Sequence, residues 1–493
     1  MKSVMRTPLA ILALSAALAA PLAAQIQQPR YLNPRDVQEA ARQHPELVEE
    51  FGGAETGPRA AYVEGIGRRI AAFSGTANAG QVYHFTALNS AVDNAFAVPG
   101  GYVYLTRQLM GIMNDESELA FVVGHETGHI AADHHNRRRQ AQQRSSIWGV
   151  LGAILGAAVG NNVFGGMISQ GAQQYSKMQV LSFSRDQEYQ ADVLGIRYMT
   201  AAGYDPSGSA TLLGQITRST ALEARLQGGR NRATPEWAST HPLSENRMAQ
   251  AAQVARQTGR AGSGLRNREA YLAQIDGMIV DDDPAQGVID GRIFTHPDLR
   301  LQFAVPTGYL MQNGAREVSI QGSAGQAEFS GGRFNGRVED YIYQVIQQLT
   351  RGRVQVALGP MQRTTVNGIP ATYVVGRANT SSGGLDVSVF AYQWDQNTMY
   401  HFVALTRAGQ GLAPFAPMVD SVRRISAAEA AAIRPRVIDV VTVAPGDTIQ
   451  SLAGRMAYRD FKMDRFLAIN GLAPNSRLVP GQKVKLVVYG SRA

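Results

Sequence analysis

Two histidines and a glutamate within five residues form the pattern in this chain with the clearest chemical meaning. His125, Glu126 and His129 belong to the string HETGH, in a segment whose apolar residues recur at helical intervals. Residues four apart on a helix lie about one 5.4 Å turn apart on one face, so both imidazoles can reach a single Zn²⁺. Glu126 lies about 100° around the helix, where it can contact a water in the fourth coordination position.

The chemistry that this pattern predicts is hydrolysis of an amide bond. Zinc lowers the pKa of a bound water toward neutrality. A carboxylate beside that water can take its proton and later return it to the leaving amine. We therefore predict that His125 and His129 bind zinc and that Glu126 is the general base.

A catalytic zinc site also needs a third protein ligand and an open position. The sequence contains no cysteine, so the third ligand must be a histidine or a carboxylate. Glu188 opens the string EYQAD on a second predicted helix, where Glu188 and Asp192 share a face. We predict that Glu188 binds the metal and that Asp192 hydrogen-bonds a ligand imidazole. His134 and His135 follow His129 too closely to complete a tetrahedron easily, and we predict that they lie on the surface.

Two helices and a strand pair must position these side chains. Asp115 can cap the helix that carries HETGH, and Glu118, three residues later, can complete a capping box. Before it, the string AFAVPGGYVYL at residues 95–105 predicts two extended segments around a Pro-Gly-Gly turn. The helix that carries EYQAD is predicted over residues 186–199.

The N-terminus predicts export. Lys2 and Arg6 precede an apolar run at residues 9–22, and Ala23 and Ala24 follow as a small-residue cleavage site. A retained membrane anchor is the alternative, but the run is shorter than the roughly 20 residues of a spanning helix. We predict a signal peptide at residues 1–24 and a periplasmic protein. The net charge of +8 falls to +6 when the two basic residues leave, and it gives no indication of nucleic-acid binding.

The segment at residues 147–168 (IWGVLGAILGAAVGNNVFGGMI) has no charged residue and is about as long as a membrane span. Its glycines and its paired asparagines interrupt the apolar pattern. Three interpretations remain open: a buried helical hairpin, a lid over the active site, or an element that contacts the membrane.

Three strings carry a resemblance to a known family: NAFAVPGG at residues 94–101, HETGH at residues 125–129 and SRDQEYQAD at residues 184–192. Over residues 33–257 the chain resembles the gluzincin family of the CaaX prenyl endopeptidase, in particular its soluble periplasmic branch. The resemblance implies a zincin-like core and a strand ending near Tyr104 that binds extended substrate by β-addition. It also implies that the substrates are unfolded or misassembled envelope and outer-membrane proteins.

The same resemblance draws attention to the string THPLSENR at residues 240–247. It implies that His241 or Arg247 stabilises the oxyanion of the reaction. His241 has a second possible role, because it could occupy the open zinc position as a latch.

The end of the chain resembles a LysM module of the order βααβ. The residues that carry this resemblance are Val443, Gly446, Asp447, Thr448, Leu452, Ala453, Asn470, Gly471, Leu472, Leu478, Pro480, Gly481 and Gln482. Such modules bind polymers of N-acetylglucosamine, so the resemblance implies a tether to peptidoglycan. No helical repeats follow the peptidase segment, so partner docking through such repeats is not predicted.

The predicted fold class is therefore α+β and multidomain. A mainly helical metallopeptidase domain is expected at residues 25–275, and an α+β module without catalytic residues at residues 285–427. This module faintly resembles the Mog1/PsbP-like fold. A small, separate LysM-like module is expected at residues 438–489.

Two other functions compete with a periplasmic zinc endopeptidase. The LysM-like module suggests a zinc hydrolase directed at peptidoglycan, although such enzymes usually arrange their ligands differently. An envelope chaperone with a zincin fold is the non-enzymatic alternative.

Overall fold

The computed structural model of the chain describes residues 30–137, 183–226, 237, 241, 245–350, 355–380 and 383–491. The predicted signal peptide at residues 1–24 and the apolar segment at residues 147–168 lie outside them. None of the helices in these ranges combines the length and the apolar character needed to cross a membrane.

The first part of the chain is mainly helical and contains one small sheet. Its helices are α1 (Pro34–Glu50), α2 (Gly57–Ala71), α3 (Ala79–Val82), α4 (Arg107–Ile112), α5 (Glu116–Ala131), α6 (Arg185–Ala201), α7 (Gly208–Leu226), α8 (Glu245–Gln257) and α9 (Arg268–Ile275). Its sheet is formed by β1 (His84–Leu88), β2 (Ala95–Val98) and β3 (Tyr102–Thr106). The central strand β3 runs parallel to β1 and antiparallel to β2.

The hairpin of β2 and β3 forms around the predicted glycine turn. Gly100 and Gly101 have φ angles of 105° and 101°, and a Cβ on Gly101 would collide with the carbonyl oxygen of Val82. Because β3 is paired along both edges, it cannot accept a further strand. The implied β-addition to the strand ending near Tyr104 is therefore wrong. Among the described strands of this sheet, β2 lies at an edge.

Helix α5 is the centre of this part of the chain, with its residues buried from Glu116 to Ile130. Asp115 caps its first turn by accepting a hydrogen bond from the backbone nitrogen of Glu118 at 3.2 Å. Glu118 does not return this bond, because its Oε2 accepts from the backbone nitrogen of Asn114 at 2.7 Å. The helix thus begins where predicted, but the reciprocal capping box does not form.

Helices α5 and α6 cross with their backbones almost in contact at two glycines. A Cβ on Gly195 would lie 2.8 Å from the backbone nitrogen of His125, and one on Gly124 would lie 3.0 Å from the carbonyl oxygen of Gly195. A larger residue would push the helices apart. The crossing brings Glu188 and Asp192, about two turns and one turn before Gly195, next to the HETGH segment.

The middle part of the chain consists mainly of antiparallel strands. After β4 (Ile279–Val280) they are β5 (Val288–Asp290), β6 (Ile293–His296), β7 (Leu301–Ala304), β8 (Leu310–Asn313), β9 (Val318–Gly322), β10 (Gly325–Arg333), β11 (Val356–Leu358), β12 (Gln362–Val366), β13 (Ile369–Thr380), β14 (Gly383–Gln393), β15 (Thr398–Arg407) and β16 (Arg423–Arg424). The large sheet has the order β11-β13-β14-β15-β10-β9-β8, and the small one β16-β7-β6-β5. The α-helices are α10 (Val338–Thr350), α11 (Ala416–Val419) and α12 (Ala427–Ala432). The described chain is thus mixed α and β, as predicted.

The last part of the chain has the order strand, helix, helix, strand: β17 (Arg436–Thr442), α13 (Ile449–Gly454), α14 (Lys462–Ile469) and β18 (Lys483–Tyr489). Strand β17 pairs with β18 and also with β4, which directly follows α9. Phe466 and Leu486 belong to the same hydrophobic cluster as Leu119 of α5. The prediction of a separate module is therefore wrong, because the two segments share a sheet and a core.

A buried lysine fastens this junction. Lys485 is fully buried, and its Nζ donates to the carbonyl oxygens of Gly111 and Met113, both at 2.7 Å, and of Ile112 at 3.3 Å. These oxygens lie at the end of α4, where a helix has carbonyls without intrahelical partners and a partial negative charge. The Lys485 side chain therefore supplies a donor to three acceptors at the end of α4.

The variant Lys485→Met should be markedly less stable, because the methionine fills the space but leaves the buried carbonyl oxygens of Gly111 and Met113 without their Nζ donor, while that of Ile112 keeps a bond from Asn114 Nδ2. We expect the free energy of unfolding to fall by roughly 3 kcal/mol, measured as a shift of the urea midpoint. The control is Lys483→Met on the same strand, whose half-exposed ammonium pairs with Glu269 and should change stability by less than about 1 kcal/mol. Equal midpoints for the two variants would contradict this role of Lys485.

Candidate metal centre

The three predicted metal ligands meet in one buried cluster. The Nε2 atoms of His125 and His129 lie 3.0 Å apart on successive turns of α5. Glu188 reaches them from α6, with carboxylate oxygens 3.5 Å from His129 Nε2 and 3.6 Å from His125 Nε2. The structure thus brings together the three side chains that the sequence singled out. That they bind metal stays a prediction.

His241 adds a fourth donor atom to this cluster. Its Nδ1 lies 3.0 Å from Glu188 Oε1 and 3.2 Å from His125 Nε2. One donor atom from each of the four residues lies within 4.8 Å of the others, so the cluster is able to hold one metal ion. The other ring nitrogen of His241, Nε2, lies 3.5 Å from Glu126 Oε1.

Asp192 and Arg247 lie behind the ligands. Asp192 Oδ1 is 2.9 Å from His125 Nδ1, as predicted for a partner of a ligand imidazole. The Arg247 guanidinium donates to both oxygens of Asp192 at 2.7 and 2.8 Å, and its Nη1 lies 2.9 Å from Glu188 Oε2. Nη1 also donates to the backbone oxygen of His241 at 3.2 Å. The hydrogen bonds of Arg247 therefore hold the cluster in place.

The types and protonation of these groups fit zinc. Because His125 donates from Nδ1 to Asp192, its Nε2 carries a lone pair that faces the cluster. Imidazole nitrogens and a carboxylate oxygen are the ligand types of catalytic zinc sites. Glu126 Oε1 is buried and has no hydrogen-bond partner among the described residues. Such an oxygen requires a donor, and a water beside the metal would be one.

Comparison with known proteins places this cluster in a family. The family profile for Peptidase family M48 matches residues 58–255, which include all four donor residues, and the profile for the LysM domain matches residues 441–487. The chain contains a peptidase family M48 domain. The predicted resemblance is thereby confirmed at the level of the M48 family, and so is the LysM resemblance.

Relatives of the M48 domain are found in bacteria and in mitochondria. The beta-barrel assembly-enhancing protease of Escherichia coli (strain K12) is 32% identical over 199 residues, which are 40% of this chain and 39% of that protein. The mitochondrial metalloendopeptidase OMA1 of Schizosaccharomyces pombe is 30% identical over 207 residues, 41% of this chain and 56% of that protein. The chain therefore spans only part of the length of these relatives.

One solved structure, cyanobacterial PsbP from Synechocystis sp. PCC 6803, is similar at a TM-score of 0.24 and 11% identity, covering 28% of this chain and 98% of that chain. A similarity of this size assigns no fold to the middle part of the chain. The Mog1/PsbP-like resemblance stays a prediction.

The structure contradicts the prediction for His134. The sequence predicted a surface residue, but this ring is fully buried in the M48 domain, and its Nδ1 lies 2.9 Å from His129 Nδ1. Helix α5 ends at Ala131, and Asp133 has a left-handed φ of 57°, so the chain turns back toward the cluster. His135 is half-buried and lies outside the four-residue cluster.

Two aromatic side chains that the sequence did not single out enclose the cluster. The buried Trp237 ring stacks on His241, with ring centroids 5.0 Å apart, and the Arg247 guanidinium lies over the same Trp237 ring, with Cζ 5.1 Å from its centroid. The Phe183 ring stacks on His129 at 3.9 Å. In the sequence, Trp237 lies close to His241, and Phe183 lies close to the SRDQEYQAD string. This proximity was the available signal, but spacing alone does not distinguish the two residues from ordinary core aromatics.

The electrostatics of the M48 domain favour the ionised form of Glu188 and Asp192 and the neutral form of His129, one of the predicted ligands. Burial alone would raise the pKa of Glu188, but His241 and then Arg247 outweigh it, and the pKa lies below its ordinary value. Burial likewise opposes ionisation of Asp192, and the charge and hydrogen bonds of Arg247 reverse the shift, so that the pKa of Asp192 is also lowered. Burial, and then the neighbouring imidazoles, lower the pKa of His129 well below its ordinary value. A metal-binding imidazole must be neutral, and a lowered pKa favours the neutral form of His129.

The variant Glu188→Ala should lose zinc, because it removes the only carboxylate of the four-residue cluster. Loss of a partner behind a ligand typically costs about 10–100-fold in metal affinity, and we expect a larger loss here. Metal content of the purified protein, measured by mass spectrometry, and competition with a chelator would show it. The control is Asp186→Ala, an exposed acid in the first turn of the same helix, which should keep zinc. Full zinc occupancy in Glu188→Ala would contradict the assignment.

Proposed function

We propose that this chain is a zinc-dependent endopeptidase of the bacterial periplasm that hydrolyses peptide bonds in misfolded or stalled envelope and outer-membrane proteins. The observation that carries the proposal is the cluster of His125, His129, Glu188 and His241 with Glu126 beside it. The substrate class is supported by the name of the E. coli relative, beta-barrel assembly-enhancing protease. The predicted signal peptide supports the periplasmic location.

The residues of the cluster divide the work of amide hydrolysis. Zinc, held by His125, His129 and Glu188, would polarise the scissile carbonyl and acidify the attacking water. Glu126 is not placed to share the ligand positions, and its Oε1 lacks a hydrogen-bond partner among the described residues. It would take the proton of the water and deliver it to the leaving nitrogen, so that one C–N bond breaks as one C–O bond forms. Asp192 keeps the His125 ring in the orientation that this requires.

His241 is proposed as a latch on the metal position. Its Nδ1 points into the donor cluster, 3.2 Å from His125 Nε2, which favours a ligand role over stabilisation of an oxyanion. Arg247 is proposed as a positioning residue and not as an oxyanion donor. Its guanidinium is buried and engaged with Asp192, with Glu188 and with the backbone of His241.

The proposed organisation of the chain keeps the predicted boundaries: signal peptide 1–24, peptidase domain 25–275, α+β module 285–427 and LysM-like module 438–489. The two family matches fall within the second and fourth of these ranges. The LysM domain supports contact with peptidoglycan. Because it shares a core with the peptidase segment, contact with peptidoglycan would also fix the position of the catalytic cluster.

The variant Glu126→Gln tests the proposed mechanism. It should bind zinc like the wild-type protein, because Glu126 is not a ligand, but its rate of casein cleavage should fall by a factor on the order of 10²–10⁴. Casein cleavage and zinc content would be measured on the same preparations, with the surface variant Glu64→Gln as a control that keeps both. Wild-type cleavage by Glu126→Gln would exclude the proposed base.

The same assay separates the proposed function from its two alternatives. Purified peptidoglycan is offered beside casein, and release of soluble fragments from peptidoglycan alone would favour a zinc hydrolase of the cell wall, which the LysM domain suggests. Zinc binding without cleavage of either substrate, with function in cells unaffected by Glu126→Gln, would favour a chaperone.

The variant His241→Ala distinguishes the two roles of this residue. A latch that occupies the fourth zinc position competes with substrate, so its removal should raise the rate of casein cleavage several-fold while zinc remains bound by three ligands. A residue that stabilises an oxyanion would show the opposite, a loss of about 10²–10³-fold in kcat. Unchanged or lower cleavage would therefore count against the latch.

A further inference from the structure

His134 contacts a ligand of the proposed zinc site without being a ligand. Its Nδ1 lies 2.9 Å from Nδ1 of His129, and its Nε2 lies 3.0 Å from Oε1 of Gln190 on α6. The ring is fully buried, and its nitrogens do not belong to the four-residue donor cluster. A buried imidazole with a partner at both nitrogens is held in one orientation.

The partners determine which nitrogen carries each proton. An amide oxygen only accepts, and Arg137 Nη1 points to the same Gln190 Oε1 at 3.4 Å, which is consistent with this orientation of the amide. His134 Nε2 therefore donates to Gln190. A neutral imidazole protonated at Nε2 has its lone pair on Nδ1, so His134 Nδ1 accepts from His129 Nδ1.

The proton on His129 Nδ1 determines the state of the other ring nitrogen, Nε2. With its proton on Nδ1, His129 has a lone pair on Nε2, and this atom faces His125 Nε2 and the Glu188 carboxylate. The opposite tautomer of His129 would direct an N–H group into the cluster and could not bind a cation. The direction of two hydrogen bonds thus selects the form of His129 that can bind metal.

We propose that His134 and Gln190 are positioning residues that select the metal-binding tautomer of His129 through the chain of hydrogen bonds Gln190–His134–His129, here called the relay. The relay differs from the support of His125, which is a carboxylate tied to Arg247. A carboxylate partner makes a ligand imidazole more basic and weakens the positive charge of the metal centre. The relay orients the second imidazole with neutral groups, so it adds no further negative charge.

The inference rests on zinc binding by the cluster, as proposed above, and it is tested by zinc affinity rather than by proteolysis. The variant His134→Phe keeps a ring but removes the acceptor, and the zinc dissociation constant, measured by competition with a chelator, should rise by about 10–100-fold. The variant His134→Asn places an amide oxygen near the position of the imidazole Nδ1, and it should restore the affinity to within a few-fold of the wild-type value.

A second pair of variants tests the Gln190 end and does not alter the buried ring. Gln190→Lys replaces the acceptor by a group that only donates, which favours the wrong tautomer of His134 and should raise the zinc dissociation constant about tenfold. Gln187→Lys is the matched control, because it adds the same charge one turn earlier on α6, where the Gln187 side chain hydrogen-bonds the backbone of Ser184 and of His134 and not the His134 ring. It should leave zinc affinity near the wild-type value.

Each outcome supports or overturns either the relay or the proposed function. Loss in His134→Phe with recovery in His134→Asn supports the relay. Wild-type affinity in His134→Phe, or equal losses in the Phe and Asn variants, overturns it in favour of simple packing. If His134→Phe does not fold, the two lysine variants decide, and equal affinities in them overturn the relay. A wild-type protein that binds no zinc would instead overturn the proposed function itself.

Discussion

The close crossing of α5 and α6 is the constraint on which the proposed site depends. The histidines of HETGH lie on α5 and the acids Glu188 and Asp192 on α6, so the distance between the two backbones decides whether one ion can contact both sets. Gly124 and Gly195 reduce that distance until the backbone of one helix touches the other. A methyl group at either glycine would push the carboxylates away from the imidazoles. Two residues without side chains therefore define the geometry of four residues that carry the chemistry.

The cluster is then made rigid by hydrogen bonds that differ in electrical character. On one side the negatively charged Asp192 accepts a hydrogen bond from the His125 ring. Its charge is neutralised by Arg247, which also contacts Glu188. On the other side the His129 ring contacts the His134 imidazole, whose other nitrogen contacts the neutral Gln190 amide. A buried site with several ionisable groups is stable only when its charges are paired. Here the arginine is that compensating charge, and the neutral side adds none.

The LysM domain packs directly against the peptidase segment of the same chain. Strand β4 extends the LysM sheet, and Lys485 donates into the end of α4, which precedes α5 by three residues. Both features bury polar backbone atoms that would otherwise require water. A flexible tether would leave the orientation of the peptidase segment relative to the LysM domain undetermined, whereas the shared core fixes it.

Much of the site was determined by local sequence. The spacing of His125, Glu126 and His129 on a helix, the capping by Asp115 and the common face of Glu188 and Asp192 follow from helical periodicity and ligand chemistry, which need no knowledge of distant residues. The turn at Gly100 and Gly101 is local as well. These features are fixed by interactions within a few residues along the chain, and the structure reproduces them.

Only the tertiary structure decided the rest, because it depends on contacts between residues far apart in the sequence. The sequence placed His134 on the surface, since nothing near it shows that Gln190, 56 residues later, supplies a partner for its buried ring. The resemblance implied that His241 or Arg247 stabilises the oxyanion, and nothing local shows that Arg247 has two carboxylate partners on another helix. The sequence separated the LysM domain, since composition does not reveal that Lys485 finds three acceptors more than 370 residues earlier. A buried polar group is stable only if another part of the chain satisfies it, and that part is known only once the chain is folded.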